Sequence, residues 1–172
     1  VINGFGVLFI AGYTAANKIY GLLEIAVSSY GYAMSSYAGQ NMGAGKRKRI
    51  GAGLHAANLI GTATAYLMSA VMILFGKLIL SCFLTGDAAT VEAALAIGFR
   101  FLCVLAAFFP LLYILYITRA CVQGMGDGGF PMLSSAAQLV MRVGCALFLT
   151  RLIGESGVFF GEIMAWAGAD LL

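Results

Sequence analysis

Tyr37-Ala38-Gly39-Gln40-Asn41-Met42-Gly43-Ala44-Gly45-Lys46-Arg47-Lys48-Arg49-Ile50-Gly51-Ala52-Gly53 ends an apolar, helix-length run in a glycine-rich turn and sets four consecutive cations before apolar sequence resumes. Carrying Lys or Arg into a bilayer core costs roughly 2.5–3.5 kcal/mol each on insertion scales, so such a cluster stays cytoplasmic and orients its neighbours. The stretch reads as a cytoplasmic loop, 41–49, of a polytopic membrane protein.

Composition agrees. The 172 residues are 62% hydrophobic and 10% charged, with a mean hydropathy of +0.96, against roughly 25% charged residues in soluble domains. The net charge of +3 is concentrated in the basic cluster, so it reports topology. A nucleic-acid partner would need a basic surface spread over a soluble domain, and none is legible. Cys82, Cys103, Cys121 and Cys145 lie far apart, with no CxxC pair, and read as small apolar fillers. The chain opens Val1-Ile2-Asn3-Gly4 without the features of a signal peptide and stops inside an apolar run at Leu171-Leu172. Both ends look cut, and the expectation is a fragment of a longer protein.

A spanning helix needs about 20 mostly apolar residues. Such runs fall at about 10–37, 50–75, 91–122 and 130–153, with an unfinished one at 158–172 and Val1–Gly6 as the tail of an earlier span. The fold class predicted is an all-α membrane protein, a polytopic bundle of about four complete transmembrane helices and two partial ones. Gly43 and Gly45 supply a permissive helix end, and Pro131 suits a first helical turn. With Lys46–Arg49 inside, the loops alternate: Lys77–Glu92 outside, Arg119–Gly129 inside, Arg151–Gly157 outside. Loop cations then number five inside and two outside, as the positive-inside rule requires.

The first span carries a polar stripe. Tyr13, Asn17, Tyr20, Glu24, Ser28, Gly31 and Ser35 follow at steps of three and four, which puts them on one helical face. A carboxylate near mid-span is expensive, and it normally faces protein or a water-filled cavity and marks a pathway. Glu24 there can exchange a proton during a transport cycle or, alternatively, make a structural hydrogen bond between helices. Arg142 sits midway along the fourth span and needs a partner, whether Glu24, Glu162, Asp170 or the carbonyls of a broken helix. Its default role is a structural clamp. Pro110 removes a backbone hydrogen bond and kinks the third span, which neighbours must re-satisfy. Lys18 and Arg100 snorkel, and His55 is interfacial. No nucleophile–base pair, metal-ligating cluster, HExxH, P-loop or GxGxxG stands out, so the chain is not read as an enzyme, and no cofactor is called for.

Two motifs together carry a resemblance. Ala11-Gly12-Tyr13-Thr14-Ala15-Ala16-Asn17-Lys18-Ile19, leading to Gly39-Gln40-Asn41-Met42-Gly43-Ala44-Gly45-Lys46, resembles the eighth helix and following cytoplasmic loop of the multidrug and toxin extrusion (MATE) family. Arg119-Ala120-Cys121-Val122-Gln123-Gly124-Met125-Gly126-Asp127 with Pro131-Met132 resembles the loop between that family's tenth and eleventh helices, and Val140-Met141-Arg142-Val143 and Trp166 resemble its eleventh and twelfth. The resemblance implies a twelve-helix transporter of two six-helix lobes, residues 1–172 forming an incomplete C-terminal lobe whose partner lobe lies elsewhere in the same protein. It implies a multi-pass protein of the cell membrane, in contact with membrane lipid. It further implies alternating access, with H⁺ or Na⁺ exchanged for small organic cations and drugs. Gln40, Asn41 and Gly43, with Pro110 and Arg142, are the structural or gating candidates; Tyr13, Asn17, Tyr20, Glu24 and Ser28 are the cavity-lining ones, with Tyr113 and Tyr116 for aromatic contact with flat cations. The chain departs from the family in two places. The stretch Phe108–Tyr116 lacks the acid that some branches carry there, and Ala26 replaces a common proline. Glu24 is thus a candidate from its own chemistry. The alternatives are a lipid-linked oligosaccharide flippase of the same superfamily, which calls for several cavity cations, and a non-transporting truncated subunit.

Overall fold

The structure, a computed structural model, describes residues 5–154 and 156–170. Five α-helices follow in order: α1 (Val7–Gly43), α2 (Arg47–Ser81), α3 (Ala88–Gly124), α4 (Gly129–Ile153) and α5 (Ser156–Asp170). They lie where apolar runs were expected but extend further at most ends. At 1.5 Å per residue, α1 to α3 measure about 50–55 Å, well beyond a hydrocarbon core of about 30 Å. Outside that core, water satisfies the helix ends and nothing forces the backbone to unwind.

The long helices correct the expected loops. Residues 41–43 and 47–49 are helical, leaving a turn at 44–46, so the basic cluster rides on the first turn of α2. Lys77, Arg119 and Arg151 likewise sit in helices, with the Lys77 ammonium 5.1 Å from the centre of the Phe99 ring. Among the described residues, three helices, α2, α3 and α4, are long and apolar enough to cross a membrane by length and composition. The expected span 10–37 falls in α1, which is long enough, but Asn17, Lys18, Glu24 and the tyrosines dilute its apolar residues. Of the expected span 158–172, 15 residues are described as α5, short of the roughly 20 a crossing needs. Residues 1–4, 155 and 171–172 lie outside the described residues.

The two glycine motifs do the same job. At the end of α1, Gly45 adopts φ +71°, the Gly45 amide donates to Met42 and the Lys46 amide to Asn41, at 3.0 and 2.8 Å. At the end of α3, Gly126 adopts φ +95°, and the amides of Gly126 and Asp127 donate to the carbonyls of Gln123 and Val122. Both are Schellman stops, which satisfy orphan carbonyls through one left-handed residue that only glycine takes cheaply. The glycine that works is therefore Gly45; Gly43 is the last helical residue, and Ala44 holds the cap.

Helix α3 is the centre, touching all four others and packing most extensively with α1 and α2; α4 packs mainly on α5. Phe101, Leu105, Phe109 and Leu112 of α3 are wholly buried. α1 and α3 run parallel and close at both ends: a side chain on Gly12 would strike the Ala94 carbonyl and one on Gly98 the backbone of Gly12, and at the far end one on Gly124 would strike the Ser35 carbonyl. Small residues are what let membrane helices approach so closely. Pro110 lies inside α3 and frees the carbonyl of Ala106, four residues before it. The Ser69 hydroxyl of α2 donates to that carbonyl at 2.7 Å within the buried core.

Candidate functional site

Glu24 lies near the middle of α1, half-buried on the side facing α3. There the Tyr116 hydroxyl donates to Glu24 Oε1 at 2.6 Å, so two helices that meet through glycine further along are joined here by a polar contact. A hydrogen bond to an ionised carboxylate is about twice as strong as a neutral one. No described residue bonds the other carboxylate oxygen.

Around this pair runs a groove. Gly21, Glu24, Ile25, Ser28, Ser29 and Tyr32 bound a cavity of about 320 Å³. Ser28 and Tyr32 also wall a second, of about 300 Å³, which continues past Gly31 and Ser35 between α1 and the α3 residues Tyr116, Arg119, Ala120 and Gln123. Each is at the small end of the about 300–1,000 Å³ typical of ligand pockets. The wall on α3 follows helical spacing: 116, 119 and 120, and 123 share one face.

Behind the groove, polar pairs tie in α4 and α5. Arg119 donates through Nη2 to Ser134 Oγ at 2.9 Å and to Gln138 Oε1 at 3.2 Å, and the Ser134 hydroxyl donates to the Ala169 carbonyl. Arg142 meets Glu162 at 2.5 Å, the Arg side chain 47% exposed and the Glu 16%. Of the four partners open for Arg142 from sequence, Glu162 is therefore the one it takes among the described residues; the Asp170 side chain lies outside them.

The structure divides the polar stripe. Glu24 and Ser28 line the groove with Tyr116. Tyr13 instead packs against Phe9 and Phe101, and Tyr20 is buried against Trp166, ring centres 6.1 Å apart. Asn17 is exposed and lines neither cavity of the groove. Tyr113 is wholly buried, edge-on to both Tyr30 and Phe109. Gln40 is exposed, while Asn41 is buried and donates through Nδ2 to the Tyr37 carbonyl. Three contributors escaped sequence reading. Arg119 and Gln123 stand three and seven residues after Tyr116, a spacing that could have placed them on its face. Ser69 carries only one mid-span hydroxyl as a signal, and nothing in the sequence pairs it with Pro110.

Chemically, the groove presents one carboxylate oxygen held by a phenol, one without a described partner, three serines, Gln123, the Arg119 guanidinium and aromatic edges. Its carboxylate end can accept a proton or a cation. The MatE family model matches residues 1–148. The chain is 26% identical, over 96% of its length, to a probable multidrug resistance protein, YpnP, of Bacillus subtilis (strain 168). It spans 36% of the length of that relative. No solved structure matches the chain at a significant level.

Proposed function

Because the chain belongs to the MatE family, we propose that it is the C-terminal lobe of a secondary transporter of the cell membrane, one that expels organic cations and drugs in exchange for H⁺ or Na⁺. The whole unit has twelve helices in two lobes, and the turn after α1 faces the cytoplasm. The two lobes rock about a site between them, and cation occupancy biases which side is open.

The observation that carries this reading is the Tyr116–Glu24 hydrogen bond in the groove. An ionised carboxylate at that depth costs several kcal/mol unless something compensates it. Tyr116 offsets part of the cost, and a proton, Na⁺ or a cationic substrate supplies the rest, each in competition with the others. Tyr116 adapts to either state of the carboxyl group, since its hydroxyl donates to an ionised oxygen and also to the carbonyl oxygen of a protonated one. The energetics suffice. One charge crossing 100 mV releases roughly 2.3 kcal/mol, and a tenfold ion gradient adds about 1.4 kcal/mol. Together they hold a substrate gradient of at most two to three decades.

The test is efflux of a fluorescent organic cation from proteoliposomes of the full-length protein, with pH and Na⁺ gradients imposed separately. Efflux under one gradient identifies the coupling ion; none under either, from folded protein, overturns the antiport reading. Glu24→Gln is expected to abolish gradient-driven efflux while leaving expression and melting unchanged. Efflux equal to wild type from pH 5.5 to 8.5 would remove Glu24 from the mechanism.

A further inference from the structure

We infer that the turn joining α1 to α2 is a docking surface for the phosphate headgroup of an anionic phospholipid. The cations there sit at the wrong end of a helix. Lys46 is the N-cap of α2, and Arg47, Lys48 and Arg49 form its first turn. A helix N-terminus carries about half a positive charge and favours anions. This one holds no acidic residue and has no side-chain cap. All four cations are exposed, and none makes an ion pair with a described residue. Their mutual repulsion and the helix dipole both call for an anion that the described chain does not supply.

The scaffold beneath them is fixed. The Lys46 amide donates to the Asn41 carbonyl at 2.8 Å, and the Arg49 amide to the Lys46 carbonyl at 3.0 Å. The Tyr37 hydroxyl donates to the Arg49 carbonyl at 3.1 Å, and Asn41 Nδ2 bonds the Tyr37 carbonyl. Ile50, the next residue, is buried. The backbone that carries the charges is thus held on both sides, and only their side chains remain to be ordered by a ligand, which lowers the entropic cost of binding.

Position selects the ligand. α2 is apolar enough to cross the membrane and outruns the hydrocarbon core at its ends, so the long side chains of a cluster on its first turn reach back to headgroup level. Lipid phosphates are concentrated there, and each Lys or Arg near an anionic surface contributes about 1 kcal/mol. An anionic phospholipid with a neutral headgroup, such as phosphatidylglycerol, fits better than phosphatidylcholine, whose own ammonium opposes the cluster.

The experiment is native mass spectrometry of the full-length protein in detergent, titrated with phosphatidylglycerol and, separately, with phosphatidylcholine. Tighter binding of phosphatidylglycerol is expected, weakening between 0.1 and 0.5 M salt. Arg47→Gln with Lys48→Gln keeps two of the cations for topology and should weaken phosphatidylglycerol binding roughly 30-fold, the equivalent of about 2 kcal/mol for two cations, leaving phosphatidylcholine unchanged. Arg47→Lys with Lys48→Arg should bind as wild type. Equal affinity of the wild type for the two lipids overturns the proposal even if the Gln variant fails to fold. So does a Gln variant that binds phosphatidylglycerol normally. Displacement of the lipid by millimolar inorganic phosphate would show a free-anion site and overturn the lipid assignment.

Discussion

Removing the Ser69 hydroxyl tests how this bundle tolerates a proline in its central helix. Pro110 has no N–H, so the Ala106 carbonyl loses its helical partner, and Ser69 donates to it at 2.7 Å from the neighbouring helix. Both residues are buried, Ser69 at 7% and Ala106 at 3% exposure, so no water takes over. Leaving a buried acceptor unpaired costs about 1–3 kcal/mol, while hydrogen bonds between membrane helices average about 0.6 and reach about 1.7 kcal/mol. Ser69→Ala should therefore destabilise the protein by about 1–1.5 kcal/mol, within the overlap of those ranges.

The decisive step is the double variant. Pro110→Ala restores an N–H that bonds Ala106 within α3, so the Ser69 hydroxyl no longer has a carbonyl to rescue. In that background Ser69→Ala should cost nearly nothing. Whatever else Pro110→Ala does to α3 drops out of the cycle, which isolates the coupling between the two sites. The assay is unfolding of the full-length protein in mixed detergent micelles, followed by loss of helical circular dichroism. Equal cost of Ser69→Ala in both backgrounds, within the about 0.3–0.5 kcal/mol expected of independent sites, would refute the reasoning.

Other expectations follow from single contacts. Arg142→Ala strands Glu162, 16% exposed, without its partner, so thermal stability and membrane yield should fall, with Arg142→Ala/Glu162→Gln recovering most of the loss; a normal melting curve for Arg142→Ala would refute the clamp. Gly45→Ala puts a methyl group on a residue at φ +71° and should cost about 1–2 kcal/mol in an unfolding assay, whereas Gly43→Ala, at a helical position, should cost nothing. Asp87 caps α3, accepting from the Thr90 amide and hydroxyl, and these bonds hold its carboxyl below the ordinary value of 3.8. Its contribution is therefore complete above pH 3.8 and fades as pH falls through the lower folded value. Asp87→Ala should lower the melting temperature at pH 6, and the deficit should shrink towards pH 3; a pH-independent deficit would contradict this.

Apolar runs alone placed the five helices, because a lone apolar segment satisfies its own backbone in lipid only as a helix. Their ends were harder to place. The rule that locates spans measures the hydrocarbon core, and α1 to α3 outrun it, carrying Lys77, Arg119 and the basic cluster out on helical turns. The helical stripe groups Glu24 with Ser28, which bound one cavity, but periodicity gives a face and never its neighbour. Tyr13 and Tyr20 share that face and are covered by Phe9, Phe101 and Trp166 instead of lining the groove. Tyr113 and Tyr116 lie one turn apart on α3, yet one faces Tyr30 and the other Glu24. Partners of charged groups were narrowed by electrostatics and chosen only by packing, as with Arg142 and Glu162.

Between membrane helices there is little hydrophobic drive, so close packing and polar contacts decide which helices hold together. By that measure the chain has two parts. α1, α2 and α3 combine glycine contacts with buried bonds from Tyr30 to Thr64 and from Ser69 to Ala106. α4, of which only Pro131 and Ser134 are buried, packs on α5, where Gly157 meets the backbone of Leu149 and Thr150 and Arg142 pairs with Glu162, and it is tied to α3 by Arg119, which donates to Ser134 and Gln138.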